Sequence, residues 1–224
     1  MQLLLIRHGL PLRSEESADP PLSSVGHWQA ARVAERLADE DVHAVFASTM
    51  RRAIETAEPF AATGGHEVQL REGIVEYDHD TGTYIPMEEL KRDDYPRWKA
   101  FVEGGYGVDI AGFQKLVVET LEQVIAAHAG RNVAVFCHGG VINVWTAHVL
   151  GMAPRLFFEP AYASLHRYLC ARSGERNIVG LNDVGHLRTV GACERRLGAH
   201  SVGHSINPSP ARGGRVMGDP ANAA

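Results

Sequence analysis

Three short apolar runs in this chain end in residues whose types suit phosphate chemistry. These residues are, in chain order, Arg7-His8-Gly9, Ser48 with Arg51 or Arg52, and His138-Gly139-Gly140. A carboxylate, Glu76, closes a fourth and shorter apolar piece. Two imidazoles, two guanidinium groups and one carboxylic acid around a single point would be a specific chemical site, provided that the fold brings them together.

Each residue type in this set has a defined part in such chemistry. The forked guanidinium of arginine matches the oxygens of a phosphate in bidentate fashion, which the point charge of lysine does less well. A neutral imidazole held among such cations is placed to attack phosphorus. A carboxylic acid can protonate the departing oxygen. Taken alone, the Arg-His-Gly sequence would be interpreted as a strand end with incidental polar residues. The hypothesis of a phosphate site therefore requires that the fold bring these side chains together.

The order of secondary-structure elements predicts this convergence. Strands are predicted at 3–6, 44–48, 68–70, 74–76, 133–137, 164–171 and 177–181. Helices are predicted at 24–37, 49–63, 113–125 and 141–150. Alternating strands and helices indicate an α/β three-layer sandwich, with a mostly parallel central sheet and helices on both faces. Because parallel strands end at one edge, where ligands bind in open α/β sheets, the polar groups should meet there.

Composition is that of an ordinary globular protein and argues against several classes of function. The 224 residues are 45% hydrophobic and 22% charged, with a formal net charge of −5. This balance gives no basic surface for nucleic acid or anionic lipid, and we expect neither a membrane span nor a signal peptide. The three cysteines show no C-x-x-C pairing, so a cytoplasmic protein with free thiols is expected.

One catalytic domain is predicted over residues 1–197. Within it, the regular pattern loosens at 77–112 into an insertion with two small helices, acidic residues and clustered aromatics. Such an insertion is typical of a lid or binding flap near an active site, and a packed helical excursion is an equally good interpretation. Its acidic and aromatic residues disfavour a small, highly anionic substrate. Residues 198–224 are predicted to be a disordered tail.

The motifs, taken in order, resemble those of the histidine phosphatase superfamily, the phosphoglycerate-mutase-like group. The matching blocks are LLLIRHG at 3–9, PLSSVGHWQA at 21–30, ASTMRRAIETA at 47–57, VAVFCHGGVI at 133–142 and LNDVGHL at 181–187. The third block is similar to the family's Ser-x-x-x-Arg-Ala-x-x-Thr-Ala motif, and Glu76 follows at the expected place. Each block alone is weak evidence, but their ordered combination extends to about residue 190.

The resemblance implies a catalytic role for three residues. His8 corresponds to the phosphoryl acceptor, which becomes a phosphohistidine. His138 corresponds to the second histidine, which binds the phosphate and stabilises the transition state. Glu76 corresponds to the acid that protonates the leaving group and then acts as base for the attacking water.

The resemblance also implies a substrate-binding set. Arg7 and Arg52 correspond to the phosphate clamp, and Arg52 is preferred to Arg51 because it directly precedes Ala53. Main-chain N–H groups at Gly139 would assist. No metal and no other cofactor is implied, which suits a site whose charge is neutralised by arginines.

The chain departs from the family pattern in ways that favour a phosphatase over a mutase. Leu10 and Pro11 replace polar residues that often follow the Arg-His-Gly, and Ser14 is left to donate a hydrogen bond to substrate. Mutases carry a basic, substrate-bridging stretch after the catalytic acid, whereas residues 77–80 here are acidic. The expected substrate is a small-molecule phosphomonoester, and phosphoglycerate mutase-type phosphoryl transfer is the alternative.

Other interpretations stay open at this stage. His8, His138 and Glu76 could ligate a metal ion, although adjacent arginines argue against it. Cys137 could act as a thiol nucleophile, although its place in an apolar run favours the core. A non-catalytic phospho-ligand binder would keep the pocket without turnover. The aromatic pair at 157–158 is a candidate interface patch for a homodimer.

Overall fold

A six-stranded sheet forms the centre of the computed structural model, which describes residues 1–80, 82–102 and 109–188. Its strands are β1 (Gln2–Arg7), β2 (Val42–Ser48), β3 (Val68–Arg71), β4 (Asn132–Cys137), β5 (Leu165–Cys170) and β6 (Arg176–Asp183). The apolar centres of β1 and β4 are buried throughout. Such continuous apolar runs are expected of strands that are covered on both faces.

The strand order is β3-β2-β4-β1-β5-β6. The pairs β3-β2, β2-β4 and β4-β1 are parallel, while β5 is antiparallel to β1 and β6 is antiparallel to β5. In register, Arg7 pairs with Cys137 and Ala47 pairs with Phe136. The residues that follow these positions therefore leave β1, β2 and β4 at the same edge of the sheet.

Helices cover both faces of this sheet. They are α1 (Ser24–Leu37), α2 (Arg51–Gly64), α3 (Met87–Asp93), α4 (Tyr95–Val102), α5 (Ile110–Ala127) and α6 (Gly139–Val149). The apolar faces of α1 and α2 pack on one side, and those of α5 and α6 pack on the other. The Ser23 hydroxyl caps α1 by accepting the main-chain N–H of Gly26 at 3.1 Å. The predicted α/β sandwich with a mostly parallel sheet is confirmed.

The prediction of an extended strand at 74–76 is wrong. The chain leaves the sheet after β3 and forms a short 3₁₀ turn at Glu72–Ile74. Gly73 lies so close to α5 that a Cβ built on it would be 2.0 Å from Oγ1 of Thr120. The 3₁₀ turn therefore packs closely against α5, and Glu76 follows this turn rather than a strand end.

The segment 77–112 contains two small helices, α3 and α4, as the sequence predicts. It is tied to the loop after β1 by a reciprocal main-chain pair between Ser14 and Tyr84, with N···O distances of 2.8 and 3.1 Å. Whether it acts as a lid stays a prediction.

The predicted domain limit and the predicted tail both fall near the C-terminal end of the sequence. The domain limit at 197 and the tail at 198–224 lie outside the described residues, which end at 188. Of the helices that the structure describes, none combines the length and apolar character needed to cross a bilayer.

Candidate active site

His8 lies directly after β1 at the edge of the sheet, with 2% of its surface exposed. Its main-chain N–H donates to the carbonyl of Cys137 at 3.0 Å, and its Nδ1 lies 2.8 Å from the carbonyl oxygen of Gly9. Because a carbonyl oxygen can only accept, Nδ1 carries the proton and Nε2 keeps its lone pair. The unprotonated nitrogen of His8 is therefore the one that faces Arg52.

Arg52 enters the site from the first turn of α2 and is 1% exposed. Its Nε donates to Nε2 of His8 at 3.3 Å, and its Nη1 donates to the carbonyl of Ala18 at 2.9 Å. The Asp19 carboxylate lies 3.6 Å from Nη1 and also accepts the main-chain N–H of Arg51 at 2.9 Å. The loop after β1 thus holds both Arg52 and the beginning of α2.

Arg7 approaches from the end of β1 and is held by a different loop. Its Nη1 donates to the carbonyl of Pro160, and its guanidinium carbon lies 3.9 Å from the ring centroid of Tyr162. Its Nε is buried without a hydrogen-bond partner among the described residues. A buried donor of this kind is costly unless a ligand supplies an acceptor.

Asn143 on α6 fixes the loop that holds Arg7. Its Nδ2 donates to the carbonyls of Gly139 and Phe158 at 2.9 and 3.0 Å, and its Oδ1 accepts the main-chain N–H of Phe157 at 2.8 Å. Both phenylalanines are half-buried, and Phe158 packs against the core. The homodimer that this aromatic pair suggested stays a prediction.

His138 follows β4 and is fully buried beside His8, with ring centroids 5.1 Å apart. Its Nε2 lies 2.8 Å from the Ser48 hydroxyl, whose oxygen already accepts the main-chain N–H of Met50 at 3.2 Å. Nε2 of His138 is the one acceptor that the described residues offer to the Ser48 hydroxyl proton, so the hydroxyl donates to Nε2 and the proton of His138 lies on Nδ1. This Nδ1 is a second buried donor without a partner in the described part of the chain.

Glu76 completes the cluster and is held by main-chain groups. Its Oε2 accepts the N–H of Gly140 at 3.0 Å, and its Oε1 accepts the N–H of Tyr77 at 3.2 Å. A Cβ on Gly140 would lie 2.1 Å from Oε1. Only glycine at this position therefore allows the carboxyl group to reach the start of α6.

Burial and charge set the protonation states of the three titratable groups. Burial, followed by the positive charge of Arg52, lowers the pKa of His8 and of His138 well below the usual range, so both imidazoles are neutral at physiological pH. Burial, followed by repulsion from Asp78, raises the pKa of Glu76 to about 7. Near neutral pH this group can therefore exist both as an acid and as a base.

The predicted substrate-binding set also includes Gly139 and Ser14, and the structure places these two residues in different surroundings. Gly139 begins α6 beside Arg7, where a Cβ would be 3.7 Å from Nε. The Ser14 hydroxyl accepts the main-chain N–H groups of Glu16 and Ser17 at 3.3 and 3.0 Å, so it caps its own turn. The structure thus places Gly139 next to Arg7, whereas the Ser14 hydroxyl is engaged by main-chain groups of its own loop.

The surroundings of Cys137 argue against the thiol hypothesis. Cys137 is buried in the apolar core beneath α6, and burial raises the pKa of its thiol. Within residues 1–80, 82–102 and 109–188, no three His, Cys, Asp or Glu side chains are grouped so that they could hold a metal ion.

Several residues that shape the site were not singled out from the sequence. Oγ1 of Thr56 accepts the N–H of Gly9 at 2.9 Å, and its place in the third sequence block was the available signal. Tyr84 lies beneath Arg52, with 5.0 Å between the guanidinium carbon and the ring centroid. Its hydroxyl lies 3.0 Å from that of Tyr162. Both tyrosines lie outside the named helices and strands, so no periodicity marks them.

Solved structures with the same architecture define the class of the fold. The phosphoserine phosphatase of Entamoeba histolytica, solved in complex with 3-phosphoglyceric acid, superposes with a TM-score of 0.67 at 26% identity. The match covers 84% of this chain and 99% of that structure. The protein is accordingly an α/β protein of the phosphatase fold class.

Sequence comparison then gives the family. The model of the histidine phosphatase superfamily (branch 1) matches residues 3–184. Phosphoserine phosphatase 1 of Hydrogenobacter thermophilus is 28% identical over 84% of this chain and 94% of its own length. Phosphoglycerate mutase-like protein 4 of Arabidopsis thaliana is 31% identical over 63% of this chain and 68% of its own. The chain belongs to the histidine phosphatase superfamily and is an enzyme of phosphatase type.

Proposed function

We propose that this protein hydrolyses small-molecule phosphomonoesters through a phosphohistidine on His8, without a metal ion. The observation that carries the proposal is the pair of buried donors next to His8, Nε of Arg7 and Nδ1 of His138, which have no partner in the described part of the chain. A bound phosphate group would supply acceptors to both. The relatives named phosphatases support the same reaction.

In the first step, Nε2 of His8 attacks phosphorus and the bond between phosphorus and the ester oxygen breaks. Arg52 gives up its contact with the Nε2 lone pair and donates to phosphoryl oxygens instead. Arg7 and His138 donate from either side to the charge that develops on these oxygens. Protonated Glu76 delivers its proton to the departing oxygen, which leaves as the alcohol.

In the second step, the Glu76 carboxylate accepts a proton from water while the water oxygen attacks phosphorus. The bond between Nε2 and phosphorus breaks, inorganic phosphate leaves, and both groups return to their starting protonation states. The raised pKa of Glu76 suits it to both steps, because the protonated and the ionised forms are both populated near neutral pH. The acidic Asp78 near Glu76 favours hydrolysis over a mutase reaction, which must hold a second anionic group of the substrate.

Replacement of the nucleophile tests the proposal. We expect His8→Ala to lower p-nitrophenyl phosphate hydrolysis by at least about 10³-fold and to abolish a phosphoenzyme trapped by rapid quenching, stable in alkali and lost in acid. The exposed His27 provides the matched control, and His27→Ala should keep both. Hydrolysis at the parental rate in His8→Ala would refute the assigned nucleophile. Loss of activity with a chelator, restored by zinc, would refute the metal-free mechanism.

A further inference from the structure

A cavity of about 280 Å³ opens next to the His8 cluster. It begins at Arg7 and Glu76, the groups proposed to hold the phosphoryl group and to protonate the leaving oxygen. In the proposed reaction, a leaving group attached to that oxygen has this cavity available to it, because Glu76 lies in the cavity wall. An apolar cavity of ~150 Å³ accommodates benzene, so the available space suits an alcohol that carries a single ring.

Apolar side chains form much of the wall of the cavity. Met87 and Trp98 come from the segment 77–112, and Leu156 and Phe158 come from the loop that Asn143 fixes. Aromatic and sulfur-containing side chains bind the faces and edges of rings well. The indole N–H of Trp98 is buried and has no hydrogen-bond partner among the described residues. It can donate to an oxygen on the leaving group, whereas it can accept nothing.

The charged groups of the cavity wall are unsuited to an anionic leaving group. Glu88 and Glu159 line it together with Glu76, and among its described lining residues Arg7 is the sole cation. Lys91 lies behind this wall, where its Nζ pairs with Glu159 at 3.0 Å and lies 4.4 Å from the ring centroid of Trp98, so Glu76 and Glu88 carry the negative charge that faces a leaving group. Arg7 is engaged with the carbonyl of Pro160 and the ring of Tyr162 at the phosphoryl end. A carboxylate on the leaving group would lose water and meet like charges, which costs affinity.

We propose that this cavity selects phosphomonoesters whose leaving alcohol is uncharged and carries one ring, and that it discriminates against alcohols that carry a carboxylate. The inference rests on the proposed function, because it takes the cavity as the place of the leaving group. It separates this chain from relatives whose names specify phosphoserine, since phosphoserine carries a carboxylate. Trp98 is the specificity-determining residue in this proposal.

Three esters of primary alcohols test the selection with the same kind of leaving oxygen. We expect kcat/KM for benzyl phosphate to exceed that for phosphoglycolate and for O-phosphoserine by about tenfold or more, the size expected from burying one ring. Equal values, or faster turnover of either carboxylate ester, would overturn the proposal. The proposed hydrolysis would remain standing in that case.

Binding measurements keep the two proposals distinguishable. Benzylphosphonate and phosphonoacetate cannot be hydrolysed, and calorimetry should show tighter binding of the first by about tenfold. If none of the esters is hydrolysed and benzylphosphonate still binds more tightly, the proposed function fails and the cavity preference stands. Tighter binding of phosphonoacetate would refute the cavity preference itself.

Variants of the cavity wall complete the test. Trp98→Ala should lower kcat/KM for benzyl phosphate by about tenfold, with little change for phosphoglycolate or for inhibition by inorganic phosphate. The exposed Trp28 on α1 gives the matched control, and Trp28→Ala should change none of these values. Glu88→Lys should raise kcat/KM for phosphoglycolate relative to benzyl phosphate. A uniform loss in Trp98→Ala, or no shift in Glu88→Lys, would overturn the proposal.

Discussion

The two ends of the site are built from different kinds of structure. The phosphoryl end consists of His8, Arg52 and His138, which are 2%, 1% and 0% exposed, at the ends of strands or the beginning of a helix. The leaving-group end is formed by half-buried or exposed side chains on short helices and one loop, which are Met87, Glu88, Trp98, Leu156, Phe158 and Glu159. One end is positively charged, and the other is acidic and aromatic.

This difference indicates which part of the proposed hydrolysis depends on each end of the site. In the proposed reaction, groups at the phosphoryl end are fixed by the sheet and would contact atoms that every phosphomonoester shares, so changes there should slow all substrates equally. Groups at the leaving-group end contact only what distinguishes one ester from another. Changes there should alter the ranking of substrates rather than the chemistry. Glu76 lies where the ends meet and should show both behaviours.

The largest expected effect in this comparison is that of Glu76→Gln. The variant should lower kcat/KM for benzyl phosphate by about 10²- to 10⁴-fold, because glutamine cannot protonate the leaving oxygen. Hydrolysis of p-nitrophenyl phosphate should fall less, since nitrophenolate leaves without a proton. The exposed Glu67 supplies the control, and Glu67→Gln should leave both esters unaffected. An equal loss for both esters would count against Glu76 as the acid.

The same residue predicts a pH dependence. The pKa of Glu76 is raised to about 7, so the protonated acid is present up to neutral pH and is lost above it. We expect kcat/KM for benzyl phosphate to decline as pH rises through about 7, and p-nitrophenyl phosphate to show a weaker decline. A benzyl phosphate profile that declines already near pH 4 to 5, the range of an ordinary glutamate, would contradict the raised pKa.

Arg52→Lys should produce the next largest effect and should affect all esters alike. Lysine keeps the charge but loses the fork that contacts His8 and that is proposed to bind the phosphate, so we expect about a 10²-fold loss in kcat/KM. Arg51→Lys is the matched control, because Arg51 is exposed and pairs with Glu55 on the surface. A loss that differs strongly between benzyl phosphate and phosphoglycolate would break the division between the two ends.

Ser48→Ala should have an intermediate effect through the tautomer of His138. Without the hydroxyl, Nε2 of His138 loses the donor that keeps its proton on Nδ1, and kcat/KM should fall about tenfold for all esters. Nitrogen NMR of the labelled imidazole should show a changed tautomer, and Ser48→Thr should restore both readouts. A tenfold loss with an unchanged tautomer would assign Ser48 a purely structural part.

Tyr84→Phe should produce the smallest change. The ring beneath Arg52 is kept, and only the hydrogen bond to the Tyr162 hydroxyl is lost, so we expect about a threefold decrease in kcat/KM. Tyr84→Leu also removes the ring and should cost several-fold more. Equal effects of the two substitutions would show that the ring contributes nothing to the clamp.

The phosphoryl end was predictable from sequence because its residues follow buried strands. The apolar runs before His8, Ser48 and His138 fix where each strand ends, and parallel pairing brings the ends to one edge. The contacts made by irregular segments were not predictable. Nothing in the sequence around Ala18 or Pro160 indicates that its carbonyl will hold an arginine.

Glu76 is the site residue whose local structure differs from the one that the sequence pattern predicts. Its role was inferred from the family resemblance, while its apolar surroundings suggested a strand end. The packing of Gly73 against α5 and the contact of Gly140 with the carboxylate depend on tertiary distances that no local pattern contains. Trp98 likewise stood out only as one aromatic residue among several, since lining a cavity has no period in the sequence.

The main-chain pair between Ser14 and Tyr84 gives the site a built-in exchange reporter. It joins the loop that carries Ala18 and Asp19 to the segment that forms much of the cavity wall. The two segments can separate there only when both hydrogen bonds break, so under conditions where every opening leads to exchange the two amide protons should exchange with deuterium at a common rate. That rate measures how often the two loops part, and vanadate bound at His8 should slow it at both amides together.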